Sequence, residues 1–345
     1  MITIMTSKKV FKYFLVLLVT LALAYFLYKN FHTIINTWDI FRAGAITWVI
    51  VALAFETLAY YFYVLMQQQA FITTSVRRRV SEMLTLMLSA TVINVITPTA
   101  DTAAFLLYAN DAKRRKEPVT NIVAGVMLAT IVSFSSFSVI LISTDTYLYL
   151  LRELTLYEIV ASILFLGLTG LYIYLIYLGM KKRPTLKHVL TLFNGFIYRV
   201  KKVFIRSTER SPSWVEEIDK EIEEVAVAIT NNRRNIINSV AYSLLFHSTT
   251  ILMLACVFLA FGQHFKLGIL ISGYAISFLF MIISPVPQGI GVVESTMSLT
   301  YASLGIPLVN AVAIAILFRG ICFWLPLGAG FISLQRYNLK NRTNP

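Results

Sequence analysis

Six blocks of this chain are each long enough to cross a bilayer, whose hydrocarbon core takes about 20 apolar residues of helix. They run from about Val10 to Tyr28, Ala45 to Met66, Val119 to Ser143, Leu156 to Gly179, Ile236 to Gly262 and Pro307 to Leu334. Of the 345 residues, 57% are hydrophobic and 14% charged. Soluble domains carry roughly 45–50% apolar and about 25% charged residues. A soluble enzyme of two domains is excluded. The expected fold is an all-α polytopic membrane protein.

The net charge is +13, from 30 Lys and Arg against 17 Asp and Glu. A nucleic-acid-binding protein would gather such charge on one folded face. Here it collects in the short segments between apolar blocks, as it does in cytoplasmic loops, so no nucleic-acid partner is expected. Cys256 and Cys322 both lie inside apolar blocks, with no CxxC and no zinc spacing. The glycine-rich nucleotide motifs and the usual hydrolase motifs do not occur. No metal site, cofactor or catalytic residue is therefore expected.

The first block follows a basic start at Lys8, Lys9 and Lys12 and contains Ala22-Leu23-Ala24, as a cleavable signal peptide could. Its length and the spans that follow favour a retained first helix. Two further apolar segments, about 81–108 and 267–304, are each interrupted by proline, at Pro98 and at Pro285 and Pro287. Basic clusters at Arg77–Arg79 and Lys113–Lys116 flank the first of them. If both clusters are cytoplasmic, that segment enters and leaves on one side as a re-entrant hairpin. By the same rule 267–304 is a hairpin from the opposite face, because the 180–235 loop and the C-terminal Arg336, Lys340 and Arg342 are basic. Two Pro-kinked spans are the alternative, at the cost of a basic cluster outside.

The second and fifth spans, the two proline turns, and the spans at Val119 and Pro307 are related by one offset of about 190 residues. The expectation is about six full spans plus two re-entrant helical hairpins in an inverted repeat. Such repeats, with broken helices meeting at mid-membrane, are a recurrent transporter plan. The N-terminal half covers 1–179 and the C-terminal half 236–345. Both ends of the chain fall on the cytoplasmic side of a multi-pass protein of the plasma membrane.

Between the halves, the 180–235 loop carries two amphipathic stripes. Leu186, Val189, Leu190, Phe193, Ile197, Val200 and Phe204 form a basic helix suited to an anionic leaflet. Ser213-Trp214-Val215-Glu216 fits a capping box opening a second helix, with Val215, Ile218, Ile222, Val225 and Ile229 on one stripe. The pair either packs on the bundle as a connector or has a regulatory role.

Charge at membrane depth costs about 2.5–3.5 kcal/mol per residue on insertion scales, so each instance needs a reason. The apolar blocks hold Glu56, Asp101, Glu294 and Arg319. Arg319 cannot be neutralised and so requires a carboxylate, carbonyls or an anionic ligand. A structural pair with Glu294 and a site for a headgroup phosphate are compatible readings. The helix after Gly291 would present unpaired N–H groups and a positive dipole end to an anion. Asn94, Thr97, Thr99 and Asp101 at the first turn either line a polar half-channel or satisfy backbone freed by Pro98. His247 is expected to be a hydrogen-bonded core residue.

Ser284-Pro285-Val286-Pro287-Gln288-Gly289-Ile290-Gly291-Val292-Val293-Glu294 resembles the P-x-G-x-G-x-x-E turn of the lysylphosphatidylglycerol synthase transmembrane family. Leu317-Phe318-Arg319-Gly320-Ile321-Cys322-Phe323-Trp324-Leu325-Pro326 is similar to its arginine-bearing final helix, and Asn94-Val95-Ile96-Thr97-Pro98-Thr99-Ala100 to its T-P turn. The resemblance covers about residues 10–335. It implies a flippase-like domain that translocates lipid, here without the aminoacyl-transferase domain of two-part synthases. The implied substrates are membrane lipids with anionic, aminoacylated or glycosylated headgroups. Arg319, Gln288, Gly289 and Gly291 would hold the phosphate, with Glu294 releasing Arg319 during the cycle. Asp101 or Glu56 would contact an amine or sugar or carry a proton. A lipid-modifying transferase component, a secondary transporter for a small anion, and a non-transporting partner of a lipid-modifying enzyme stay open, as does a homodimer.

Overall fold

A computed structural model describes residues 45–96, 102–181, 225–284 and 286–343, together with Leu186, Thr191, Ile222 and Glu223. The expected first span at about 10–28, the turn residues Thr97, Pro98, Thr99 and Asp101, and most of the 180–235 loop lie outside these residues. Among the described residues the regular structure is helical: α1 (Ala45–Thr73), α2 (Val80–Ile96), α3 (Thr102–Arg114), α4 (Val119–Leu151), α5 (Leu156–Lys181), α6 (Arg233–Ala260), α7 (Leu267–Ile283), α8 (Val292–Ser303), α9 (Leu308–Arg319) and α10 (Leu325–Thr343). A five-residue π-helical turn, Gly320–Trp324, joins α9 to α10. Among the described residues, five helical stretches are long and apolar enough to cross a membrane: α1, α4, α5, α6 and the continuous α9–π–α10 rod.

The helix α4 continues past Ser143 to Leu151, beyond the end expected from its apolar run. The reason is local. Glu158 accepts the backbone N–H and the hydroxyl of Thr155, each at 2.8 Å, and Thr155 Oγ1 faces the Glu158 N–H at 3.4 Å. This capping box starts α5 at once, so the chain reverses within residues 152–155, with Arg152 at φ 60°. At 33 residues, α4 is about 50 Å long and outreaches the hydrocarbon core. The helix α5 leaves Leu156, Val160, Ile163, Leu164 and Leu168 exposed, a face for lipid rather than water.

The longest packed pair is α1 with α6, and the two run antiparallel. Asn232 Nδ2 donates to the Thr73 carbonyl at 3.1 Å, Ser239 Oγ to the Met66 carbonyl at 2.9 Å, and Tyr242 stacks on Phe62. At the far end Ala52 packs among Met253, Leu254 and Val257. The broken segments pack in a reciprocal pattern: α2 lies against α10, and α7 against α4. At Gly330 a Cβ would stand 2.4 Å from the Leu88 carbonyl oxygen, so α10 rides directly on the backbone of α2. Close backbone approach at small residues is the usual source of helix association in lipid.

The pair α7 and α8 closes in the same way. A Cβ on Gly273 would lie 2.1 Å from the Tyr301 ring, and Tyr301 is fully buried with its hydroxyl directed to the Leu270 carbonyl at 3.3 Å. Gly273→Ala is expected to cost about 2–3 kcal/mol through overpacking. Thermal melting in detergent checks it, and a variant melting like the wild type would refute this approach of α7 to α8.

At the base of α2 and α3, Arg78 is buried and donates to both carboxylate oxygens of Glu117, the Nη1–Oε1 bond being 2.6 Å. Arg78 Nη2 also reaches Asp111 Oδ2 at 3.1 Å. Arg115 then bridges Asp111 and Glu82, each at 3.2 Å. Burial by itself would lower the Arg78 pKa, but the bonds and charges of Glu117, and then of Asp111, outweigh it and hold the guanidinium above its ordinary value.

The described parts of the 180–235 loop pack on the bundle. Leu186, Ile222, Val225 and Ala226 are buried against Met66, Ala124, Ile176 and Leu178. Gly179 makes room for this, since a Cβ there would meet Ile222 Cγ2 at 2.7 Å.

Candidate functional site

The chain after α7 cannot continue as helix through Ser284-Pro285-Val286-Pro287, because two prolines remove donors and crowd the preceding turn. It resumes as a single 3-10 turn, Pro287–Gly289, in which Gln288 and Gly289 have φ of 54° and 62°. Gly289 is required twice over: its φ is left-handed, and a Cβ would lie 2.6 Å from Val293 Cγ2 and 3.1 Å from Met281 Cα. Gly291, at φ 82°, then turns the chain into α8. The third residue of α8 is Glu294, whose Oε2 accepts the Gly291 N–H at 2.7 Å. The helix thus supplies the anion at its own N-terminus.

The other oxygen of Glu294 meets Arg319. Nε of Arg319 donates to Glu294 Oε1 at 3.0 Å, and Nη2 donates to the Gln288 carbonyl at 2.8 Å. The guanidinium lies over the Phe323 ring, 4.2 Å from its centroid. Arg319 is only 3% exposed. A non-glycine residue at the Gln288 geometry costs about 1 kcal/mol or more, and its carbonyl bond to Arg319 offsets part of that.

Arg319 sits at the last residue of α9, where the helix widens into the π turn and Leu325 N–H bonds back to the Gly320 carbonyl. Pro326 has no N–H to offer the Cys322 carbonyl and its ring crowds it, so a wider turn upstream relieves both problems. Single π turns of this kind recur at functional sites.

One cavity of about 630 Å³ joins the two halves of the bundle here. Arg319, Gln288, Glu56 and Asn94 all line it. Of the residues expected at the site, Glu294 lies behind Arg319 and Gly289 and Gly291 shape the turn, and these three do not line the space. Thr97, Thr99 and Asp101 fall outside the described residues. The lining also includes Tyr60, Tyr63, Thr91, Thr130, Ser133, Thr250, Tyr274 and Ser284. None of these was singled out from the sequence. The available signal was a polar or tyrosine residue on one face of each apolar block, which is also how interior packing residues look. Asn94 Oδ1 and Glu56 Oε2 are buried without a hydrogen-bond partner. His247 is fully buried beneath Phe137, Phe246 and Phe278, with Nδ1 2.6 Å from the Tyr274 hydroxyl. It is a core histidine one residue removed from the cavity wall. Among the described residues no group of His, Cys, Asp and Glu side chains could hold a metal ion.

Helical stretches of membrane-crossing length and a buried arginine lining an interior cavity mark a multi-pass membrane protein. The chain belongs to the family of the lysylphosphatidylglycerol synthase TM region, which it matches over residues 12–330. It is also similar to the UPF0104 membrane protein PH1989 of Pyrococcus horikoshii, being 26% identical over 226 residues, 63% of this chain and 64% of that protein. The match therefore spans less than two thirds of that relative.

Proposed function

We propose that this protein moves lipids with a polar, phosphate-bearing headgroup between the leaflets of the plasma membrane. The headgroup passes through the cavity while the acyl chains stay in lipid. In this reading α2–α3 and α7–α8 are re-entrant hairpins entering from opposite faces, and the two halves form an inverted repeat with both chain ends in the cytoplasm. The antiparallel course of α1 and α6, which are counterparts in that repeat, supports it. So does the reciprocal packing of α2 on α10 and α7 on α4.

The observation that carries the proposal is Arg319. It is a permanent cation at membrane depth, held over Phe323 by Glu294 and a carbonyl on one side and lining the cavity on the other. A guanidinium in that position can take two phosphate oxygens at once. The lining hydroxyls and amides replace headgroup water over the short distance that the hairpins leave to cross.

The test is reconstitution in liposomes carrying headgroup-labelled phospholipids, with an impermeant quencher reporting the outer-leaflet fraction. Wild-type vesicles are expected to equilibrate label between leaflets faster than Arg319→Met vesicles. Equal rates across anionic, aminoacylated and glycosylated headgroups would overturn the proposal.

A further inference from the structure

The cavity contains a carboxyl group for which the described residues provide no counter-charge. Glu56 lies on α1, is 6% exposed and lines the cavity, and its Oε2 is buried with no hydrogen-bond partner. Among the described residues it forms no ion pair. The cation that shares the space, Arg319, is already engaged by Glu294 and the Gln288 carbonyl.

Apart from Arg319, the titratable groups that line the cavity with Glu56 among the described residues, Tyr60, Tyr63, Tyr108, Tyr274 and Cys322, are neutral in their ordinary state. From its own helix comes Tyr60, which is bonded to Thr91 of α2. From α7 comes Tyr274, whose hydroxyl is tied to His247 of α6. The π turn contributes Cys322, which lies within electrostatic reach of Glu56 and of the Arg319–Glu294 pair. From α4 the cavity receives only the hydroxyls of Thr130 and Ser133, and from α3 that of Tyr108.

An ionised carboxylate in such a place is a lone charge at membrane depth, whereas the protonated acid is neutral. The difference falls on whatever enters the cavity. A headgroup phosphate approaching Arg319 is repelled by an ionised Glu56 in the same small, low-dielectric space and is not repelled by the acid. Binding of the anion and binding of a proton therefore favour one another, and by linkage the effect is mutual.

We propose that Glu56 is a proton-binding site coupled to headgroup binding, so that an anionic headgroup and a proton occupy the cavity together. The proposal rests on the lipid-translocation reading above and adds its energy source and the sign of its substrate. One proton from water binds a Glu56 oxygen as one headgroup anion binds at Arg319. When the headgroup leaves to the other leaflet, the proton leaves to the water on that side. The pair crosses without net charge for a monoanionic lipid, and a proton gradient sets the direction.

The experiment uses the purified full chain in detergent with short-chain phosphatidylglycerol as the probe. Wild-type affinity is expected to fall roughly tenfold or more from mildly acidic to mildly alkaline pH. In weakly buffered solution the wild type takes up a proton on binding. Glu56→Gln is expected to bind with little pH dependence and no proton uptake, while Glu56→Asp keeps both, which separates titration from misfolding. The same pH dependence in Glu56→Gln, or no binding at any pH, would overturn the proposal. So would affinity that rises with pH, as when an ammonium headgroup pairs with the carboxylate directly. A parallel vesicle assay separates the two readings. Glu56-linked proton uptake without faster lipid crossing sinks translocation but not the site. Crossing whose pH dependence ignores Glu56→Gln sinks the site but not translocation.

Discussion

Arg319→Met will destabilise the purified protein by about 3–5 kcal/mol, and adding Glu294→Gln will restore at least half of that loss. In the single variant Glu294 keeps its charge, buried 25 residues away in sequence from a partner that no longer exists. The unpaired charge, rather than the lost contact, accounts for most of the cost. Glutamine removes that charge and still offers an oxygen to the Gly291 N–H, which Glu294 Oε2 holds at 2.7 Å. Thermal melts in detergent, followed by tryptophan fluorescence and by elution volume, give the comparison. Neither variant is expected to speed lipid exchange in vesicles, so regained stability and absent transport occur in one protein. A double variant no more stable than Arg319→Met would mean that the pair is not the unit described here.

Arg78→Ala is expected to cost a similar amount, about 3–5 kcal/mol. It leaves Glu117 without its partner and Asp111 with Arg115 alone, and it frees the join between α1 and the α2–α3 segment. Gln68 Nε2 donates to the Arg78 carbonyl at 2.7 Å, so α1 holds the same residue through its backbone. Lysine at this position should recover little, because the two-pronged bond to Glu117 depends on a planar fork. Melting temperature is the first readout. The second is proteolysis of the 74–79 connection, which should become faster only if the local clamp has opened. An Arg78→Ala protein with unchanged melting would show that this buried cluster is energetically neutral.

The sequence made the helical class and the break after α7 legible for clear reasons. Apolar length reports directly on membrane crossing, and proline with glycine reports on where a helix must stop. Glu294 and Arg319 could be paired in advance because a charge that cannot be shed has few solutions in lipid. The buried role of Arg78 was not legible. Within Arg77-Arg78-Arg79 nothing local separates the inward-facing residue from its exposed neighbours, and its partners stand 33 and 39 residues away. The polar lining from Tyr60, Tyr274, Thr130 and Ser133 was hidden for a similar reason. They are mild polar residues spread over three helices, and only packing brings them to one wall. Gln288 was read as part of a phosphate-holding turn, and its backbone carbonyl, which any residue type would carry, is what Arg319 uses.

The two oxygens of Glu294 give that side chain two attachments that cannot be released separately by a swing of the carboxylate. One holds the guanidinium of Arg319 and the other the amide that opens α8. A rotation that drops one drops the other, so the site has two settings and little between them. In the first setting the protein answers its own positive charge. In the second the Arg319 guanidinium and the Gly291 N–H, a side-chain and a main-chain donor, lose their shared acceptor together. Under the lipid-translocation proposal, the grip on cargo and the join between α8 and α9 become one switch.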